Sequence, residues 1–134
     1  MFESFSVAGN MLTGSEVLDA TAQTFIGTAG RPLAERLIAA MQAGEGAGGD
    51  KRGKQAAALR IHATEVYPAL DLRVDDHTEP LTELRRLYDV SLERFQPFVS
   101  CLASIRNPVG LLDRVEIEAR IAAFQDSRRA HDAN

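Results

Sequence analysis

The chain has 134 residues, 45% of them apolar and 25% charged, with a formal net charge of −4. That is one domain's worth of chain with apolar content enough for a packed core, which excludes disorder as the default state. The mild acidity excludes a general nucleic-acid binder, since phosphate neutralisation needs a concentrated basic face, and no apolar run is long enough to cross a bilayer.

Phe5-Ser6-Val7-Ala8 alternates large and small residues and predicts a short strand, ended by the turn formers Gly9-Asn10. Thr13 to Glu16 supplies cap candidates for a helix whose buried face carries Val17, Leu18, Ala22, Phe25 and Ile26, stopped by Gly27 and Gly30. Pro32 is placed as the first residue of a second helix, where its missing N–H costs nothing. Leu33, Ala34, Leu37, Ile38 and Met41 form the apolar stripe of that helix, and Gly44 and Gly46 end it.

Gly48-Gly49-Asp50-Lys51-Arg52-Gly53-Lys54-Gln55 is the densest polar stretch in the chain. Beyond it, Ala56–Ala63 alternates with Leu59 and Ile61 on one face, and Asp71–Asp75 does the same with Leu72 and Val74. Two such runs joined by a short loop containing Pro68 predict an antiparallel pair, with Arg60 across from Asp71 or Asp75. Asp76 to Pro80 leads into a helix bearing Leu81, Leu84, Leu87, Tyr88, Leu92 and Phe95, which Pro97 interrupts. Glu83 with Arg86, and Arg85 with Asp89, have the spacing of surface pairs on it. Asn107-Pro108-Val109-Gly110 is a turn, and Asp113 caps a last helix carrying Ile117, Ile121 and Phe124. The polar tail from Asp126 is expected to fray. The class is α+β, with antiparallel strands and packed helices.

The polar stretch nearly spells a phosphate-binding loop, since Gly48, Gly53 and Lys54 have the required spacing. Such a loop needs a strand before it, a helix after it and a hydroxyl following the lysine to hold magnesium. Here a helix precedes, a strand follows and Gln55 takes the hydroxyl position, so a glycine turn with Asp50 bonding nearby backbone is the favoured reading. Asp75, Asp76 and His77 have the donor chemistry of metal ligands. Adjacent residues of a strand point to opposite faces, however, and capping by Asp76 or Thr78 is the simpler role. Cys101 lies among Phe98, Val99 and Leu102, the setting of an inert thiol. As the sole cysteine it forms no disulfide within the chain, which fits a reducing compartment. No secretory leader is evident, and cytoplasmic location is the expectation. No cofactor is expected.

Several stretches resemble DUF1028, a bacterial family of unknown function placed among the N-terminal nucleophile (Ntn) hydrolase-like folds. They are Phe5-Ser6-Val7-Ala8-Gly9-Asn10-Met11-Leu12, Pro32-Leu33-Ala34-Glu35-Arg36-Leu37 and the Gly48–Gln55 stretch. Asp71 to His77 and Pro80 to Leu87 continue the resemblance, in order, over about residues 5–95. The resemblance implies part of a four-layer αββα sandwich, with residues 5–95 as the C-terminal portion of the family's domain and 96–134 as a helical extension with a polar tail. It also implies that the family's opening Thr-Phe-Ser-like strand, whose Thr is the candidate nucleophile, is not matched here. Met1-Phe2 offers neither hydroxyl nor thiol, so no catalytic residue is expected within the chain and activity alone is expected to be nil. By analogy with the fold, Asn10, Asp50, Lys51 and Gln55 become the candidate pocket-lining residues. The partners implied are a missing N-terminal half or a second copy of the chain, with neither nucleic acid nor membrane. A helical association module and an amide hydrolase half completed by a separate chain stay open beside this reading.

Overall fold

A computed structural model describes residues 4–132. The described elements are five helices and two strands: α1 (Glu16–Gly27), α2 (Leu33–Gly46), β1 (Ala57–Ile61), β2 (Leu70–Val74), α3 (Pro80–Ser91), α4 (Phe95–Val99) and α5 (Arg114–Asp132). The class is α+β, with β1 and β2 forming a two-stranded antiparallel sheet. The chain divides into two compact units. The first holds the residues up to Leu59 together with Leu72–Arg85, and the second holds Arg60–Asp71 and the residues from Arg86 on.

In the first unit α1 packs on α2. Glu16 and Asp19 place negative charge in the first turn of α1, where the helix dipole favours it. Val17 and Phe25 are buried on the face turned to α2, whose Ala34, Ile38 and Ala40 are buried in turn. Gly44 is what lets the two helices close up. A methyl group there would overlap the Thr21 hydroxyl and lie 3.5 Å from the Val17 carbonyl, and that hydroxyl is already committed to donating to Val17 O at 2.7 Å.

Arg36 is the unforeseen member of this core, at 6% exposure. Its guanidinium lies 4.1 Å over the Phe25 ring, and Nη2 donates to Phe25 O at 3.3 Å. No basic residue stands in the last turn of α1, so α2 supplies the cation that the end of that helix favours.

Four expectations for this region are corrected. Phe5–Ala8 is not a strand: its side chains serve packing instead, Phe5 tilting against Phe25 with ring centroids 4.9 Å apart. Ile26 and Leu33, 60% and 45% exposed, lie off the buried face. The α1 and α2 stripes are narrower than the apolar spacing suggested, because small residues at the crossing bring the backbones close. Pro32 precedes α2 rather than opening it, with extended backbone (ψ 138°), and its carbonyl takes the first helical bond, from Arg36 N.

The hairpin follows the alternation. Leu59, Leu70 and Val74 are buried while Arg60, Asp71 and Arg73 face solvent. Arg60 pairs with Asp71 at 2.7 Å, and Asp75, just past the end of β2, pairs instead with Arg73. Both are exposed and worth a fraction of a kcal/mol at most, roughly 0.2–1.

In the second unit α4 packs on α5, and Tyr88, Leu92, Cys101 and Ile121 are buried. Arg94 grips Glu118 through two nitrogens, at 2.9 and 2.6 Å. Asp113 caps α5, its Oδ1 accepting from Val115 N at 2.7 Å. The loop from Cys101 to Leu111 closes on itself through Leu111 N donating to Cys101 O, and Tyr67 Oη donates to Ala103 O across it.

Three more expectations change here. α3 ends at Ser91, short of Pro97, because the Ser91 hydroxyl folds back onto Tyr88 O; Pro97 then sits inside the short α4, where an early-turn proline is tolerated. Phe95 belongs to α4 and is 52% exposed, not on the α3 stripe. The tail is helical to Asp132 rather than frayed from Asp126, supported by an Arg129–Asp126 pair within its own helix.

Candidate functional site

The polar stretch after α2 is a pinned turn. Gly48 N donates to Glu45 O and Gly49 N to Gly44 O, the reciprocal pair of bonds that closes a helix end in the left-handed region. The φ values of +125° and +59° at Gly48 and Gly49 explain why glycines stand there. The turn is then tied to the segment before α1. Thr13 N donates to Gly49 O, Lys51 N donates to Met11 O at 2.8 Å, and Leu12 and Asp50 form an isolated antiparallel bridge. Met11 adopts φ +57°, a conformation that L side chains enter at a cost. Two separately singled-out stretches, Gly9–Leu12 and Gly48–Gln55, are thus brought together.

Asp50 is the best-bonded group of the turn. Its Oδ1 accepts from Arg52 N at 2.8 Å and from Arg52 Nε at 2.9 Å, and its Oδ2 accepts from Nη2 at 2.6 Å. The Arg52 guanidinium, then the Arg52 N–H, hold the Asp50 carboxyl down at about 2. Lys54 Nζ lies 2.7 Å from Glu45 Oε1 and 2.5 Å from Glu79 Oε2. Those two bonds, Glu45 first, push the ammonium pKa up. Gln55 Nε2 donates to Asp76 Oδ1 at 3.2 Å, and Gln55 O accepts from His77 N at 2.9 Å. The exit of the turn is therefore fastened to the segment that opens α3.

Against this turn lies a cavity of ≈ 410 Å³. Its walls are apolar where Leu12, Val17, Leu18, Met41 and Leu81 meet. Its polar rim is Glu45, Asp50, Lys54 and Gln55. Asp50 and Gln55 thus line one cavity, while Asn10 and Lys51 are exposed and lie outside its lining. Phe5, Ser6, Phe25 and Leu37 border a smaller cavity of ≈ 230 Å³.

Lys54 is flanked by two carboxylates, which repel phosphate, and α2 precedes and β1 follows the turn. Asp75, Asp76 and His77 diverge: Asp75 binds Arg73, Asp76 takes Gln55, and His77 Nδ1 accepts from Glu79 N at 2.9 Å. Among the described residues no group of three His, Cys, Asp or Glu side chains is placed to hold a metal ion. Cys101 is buried, its Sγ 3.8 Å from Pro97 O. No described helix is long and apolar enough to cross a membrane.

The Glu45–Lys54–Glu79 cluster is what residue spacing misses. Its members lie nine and twenty-five residues apart, and only the turn's closure brings them together.

The family model for DUF1028, a family of unknown function, matches residues 1–84. Among solved structures, the chain is similar to the crystal structure of a DUF1028 protein from Silicibacter pomeroyi, at 29% identity and a TM-score of 0.64. That match covers 78% of this chain and 45% of the Silicibacter chain, so this chain spans less than half the length of the structure it matches. No curated protein matches it. With more than half of its residues matched by the family model, the chain belongs to the DUF1028 family.

Proposed function

We propose that this chain is the C-terminal portion of an Ntn-hydrolase-like DUF1028 domain and is catalytically silent on its own. The observation that carries the reading is the state of the groups gathered at the Gly48–Gln55 turn. Asp50 is fully engaged by Arg52, Lys54 is shared by two carboxylates, and the Thr21 hydroxyl on the cavity wall donates to Val17 O. None is a nucleophile beside a free base. Acyl transfer of the Ntn type needs a Thr, Ser or Cys activated by its own α-amino group, next to donors for the oxyanion. The 45% span of the Silicibacter protein fits a chain that supplies walls and turn while the reacting groups lie in the rest of the domain. The test is a panel of chromogenic amides offered to the purified chain. No turnover above buffer is expected, and turnover abolished by Asp50→Asn would overturn the reading.

A second reading is favoured by one observation in the second unit. Ile105, Val109, Leu112 and Val115 are 67–79% exposed, a run of apolar side chains on and beside the closed Cys101–Leu111 loop. Exposed apolar surface of this kind marks association sites. Helices at 80–95 and 113–125 would then serve a homo-oligomer or bind the remainder of the domain. Light scattering on the eluting chain decides: a monomer at all concentrations counts against self-association.

A further inference from the structure

We infer that Phe5–Ala8 is an open strand edge, and that it takes up one β-strand supplied by the part of the DUF1028 domain that this chain does not span. The edge is then where the remainder of the domain attaches, and this rests on the reading of the chain as that domain's C-terminal portion. Among the described residues, the backbone of Phe5–Asn10 makes no hydrogen bond. Backbone N–H and C=O groups are strong donors and acceptors, and a row of unpaired ones is a template for a further strand. The row is also held in place. Just beyond it Leu12 and Asp50 form an antiparallel bridge, and Lys51 N donates to Met11 O at 2.8 Å. At its other end Phe5 lies against Phe25, with ring centroids 4.9 Å apart.

Two cavities receive the side chains of such a strand. Val7 and Ala8 line both the ≈ 410 Å³ cavity and the ≈ 230 Å³ one. Leu18 and Leu81 add apolar wall to the first, Phe25 and Leu37 to the second, and Met41 to both. Strand addition uses features of this kind: main-chain bonds supply affinity, and pockets for alternate side chains supply specificity. The larger cavity has a second open margin at Ala56, directly ahead of β1, whose backbone makes no hydrogen bond among the described residues. The size of the relative names the donor. The match covers 45% of the Silicibacter chain, which leaves more than half of that domain to provide the strand. The described sheet, β1 with β2, has only two strands, and a two-stranded sheet is marginal without further partners. A second copy of this chain is the competing occupant.

The probe is the segment of the Silicibacter DUF1028 protein outside the match, refolded jointly with this chain, with amide hydrogen exchange read at Phe5–Ala8. In the chain alone these four amides are expected to exchange without protection. The joint sample is expected to form a complex in which either Phe5 and Val7, or Ser6 and Ala8, are protected. Neighbouring residues of a strand turn their N–H groups to opposite sides, so protection alternates. Ser6→Pro and Val7→Pro, at an exposed and a half-buried position, separate strand pairing from apolar contact alone. The proline that replaces a protected amide is expected to weaken association about tenfold more than the other, the weight of one lost ladder bond. Protection in the dilute chain alone would overturn the inference, because the edge would already be paired. Protection that rises with the chain's own concentration would overturn it in favour of a second copy. A complex that leaves all four amides unprotected, or equal effects of the two prolines, would also overturn it. Failure to associate would overturn it together with the reading of the chain as a portion of the domain. Turnover of an amide substrate by the chain alone would overturn only the claim of catalytic silence.

Discussion

The α1–α2 pair and the segment from Arg86 onward use their apolar residues in opposite ways. In the first unit the crossing is closed by small residues, and Ile38 is wholly buried. Its exposed large apolar side chains, Phe5, Met11, Ile26 and Leu33, are scattered along the chain. In the second unit nine large apolar side chains are exposed among the described residues, five of them between Leu102 and Val115. The family match ends at residue 84, so the closely packed region is largely the shared one. What this teaches is that the second unit's helices are built on a thinner core, with more of their large apolar side chains left exposed.

The comparison is most easily broken at Ile38. Ile38→Ala leaves a cavity at a site with no exposure and is expected to cost about 3 kcal/mol by chemical denaturation. A cost under about 1 kcal/mol would mean that the helix pair is loosely packed after all. Next in size is Gly44→Val, expected to cost about 2 kcal/mol by forcing α2 away from Thr21 and Val17. Adding Thr21→Ala should return part of that loss, and a strictly additive double variant would show that the two residues do not touch. In the second unit, Asp113→Ala removes the acceptor for Val115 N and Glu116 N and is expected to cost about 1 kcal/mol.

Leu112→Ser with Val115→Ser is expected to change stability by no more than about 0.5 kcal/mol, as at exposed positions generally. A large loss in the monomer would show that these side chains are core. The smallest effect is at Asp50. Its carboxyl is held below the ordinary value, so its stabilising contribution is present above pH 3.8 and is lost as the pH falls toward about 2. Asp50→Asn should flatten that part of the melting-temperature profile while leaving the neutral range almost unchanged.

Legibility in the residues tracks how local each signal is. The alternation of Leu59 and Ile61, and of Leu72 and Val74, needs only its own period, and β1 and β2 stand within two residues of expectation. Asp113 is readable as a cap because its partners follow it directly. Phe5–Ala8 has strand-like alternation, yet ladder bonds come from a partner strand and not from the run itself. Arg36 is unreadable as a core residue, since its burial depends on Phe25 eleven positions earlier presenting a ring face. At the site, the glycine turn and the bonding of Asp50 are local and legible. The sharing of Lys54 between Glu45 and Glu79 depends on the opening of α3 returning to the turn, and no spacing encodes that.

The most direct measurement compares amide turnover by this chain with turnover by a full-length DUF1028 domain, on the same substrates and at equal concentration. The predicted result is hydrolysis of at least one amide by the full domain and none by this chain. Hydrolysis by this chain alone, lost on Asp50→Asn, would contradict the claim that its turn and cavity lack the reacting groups.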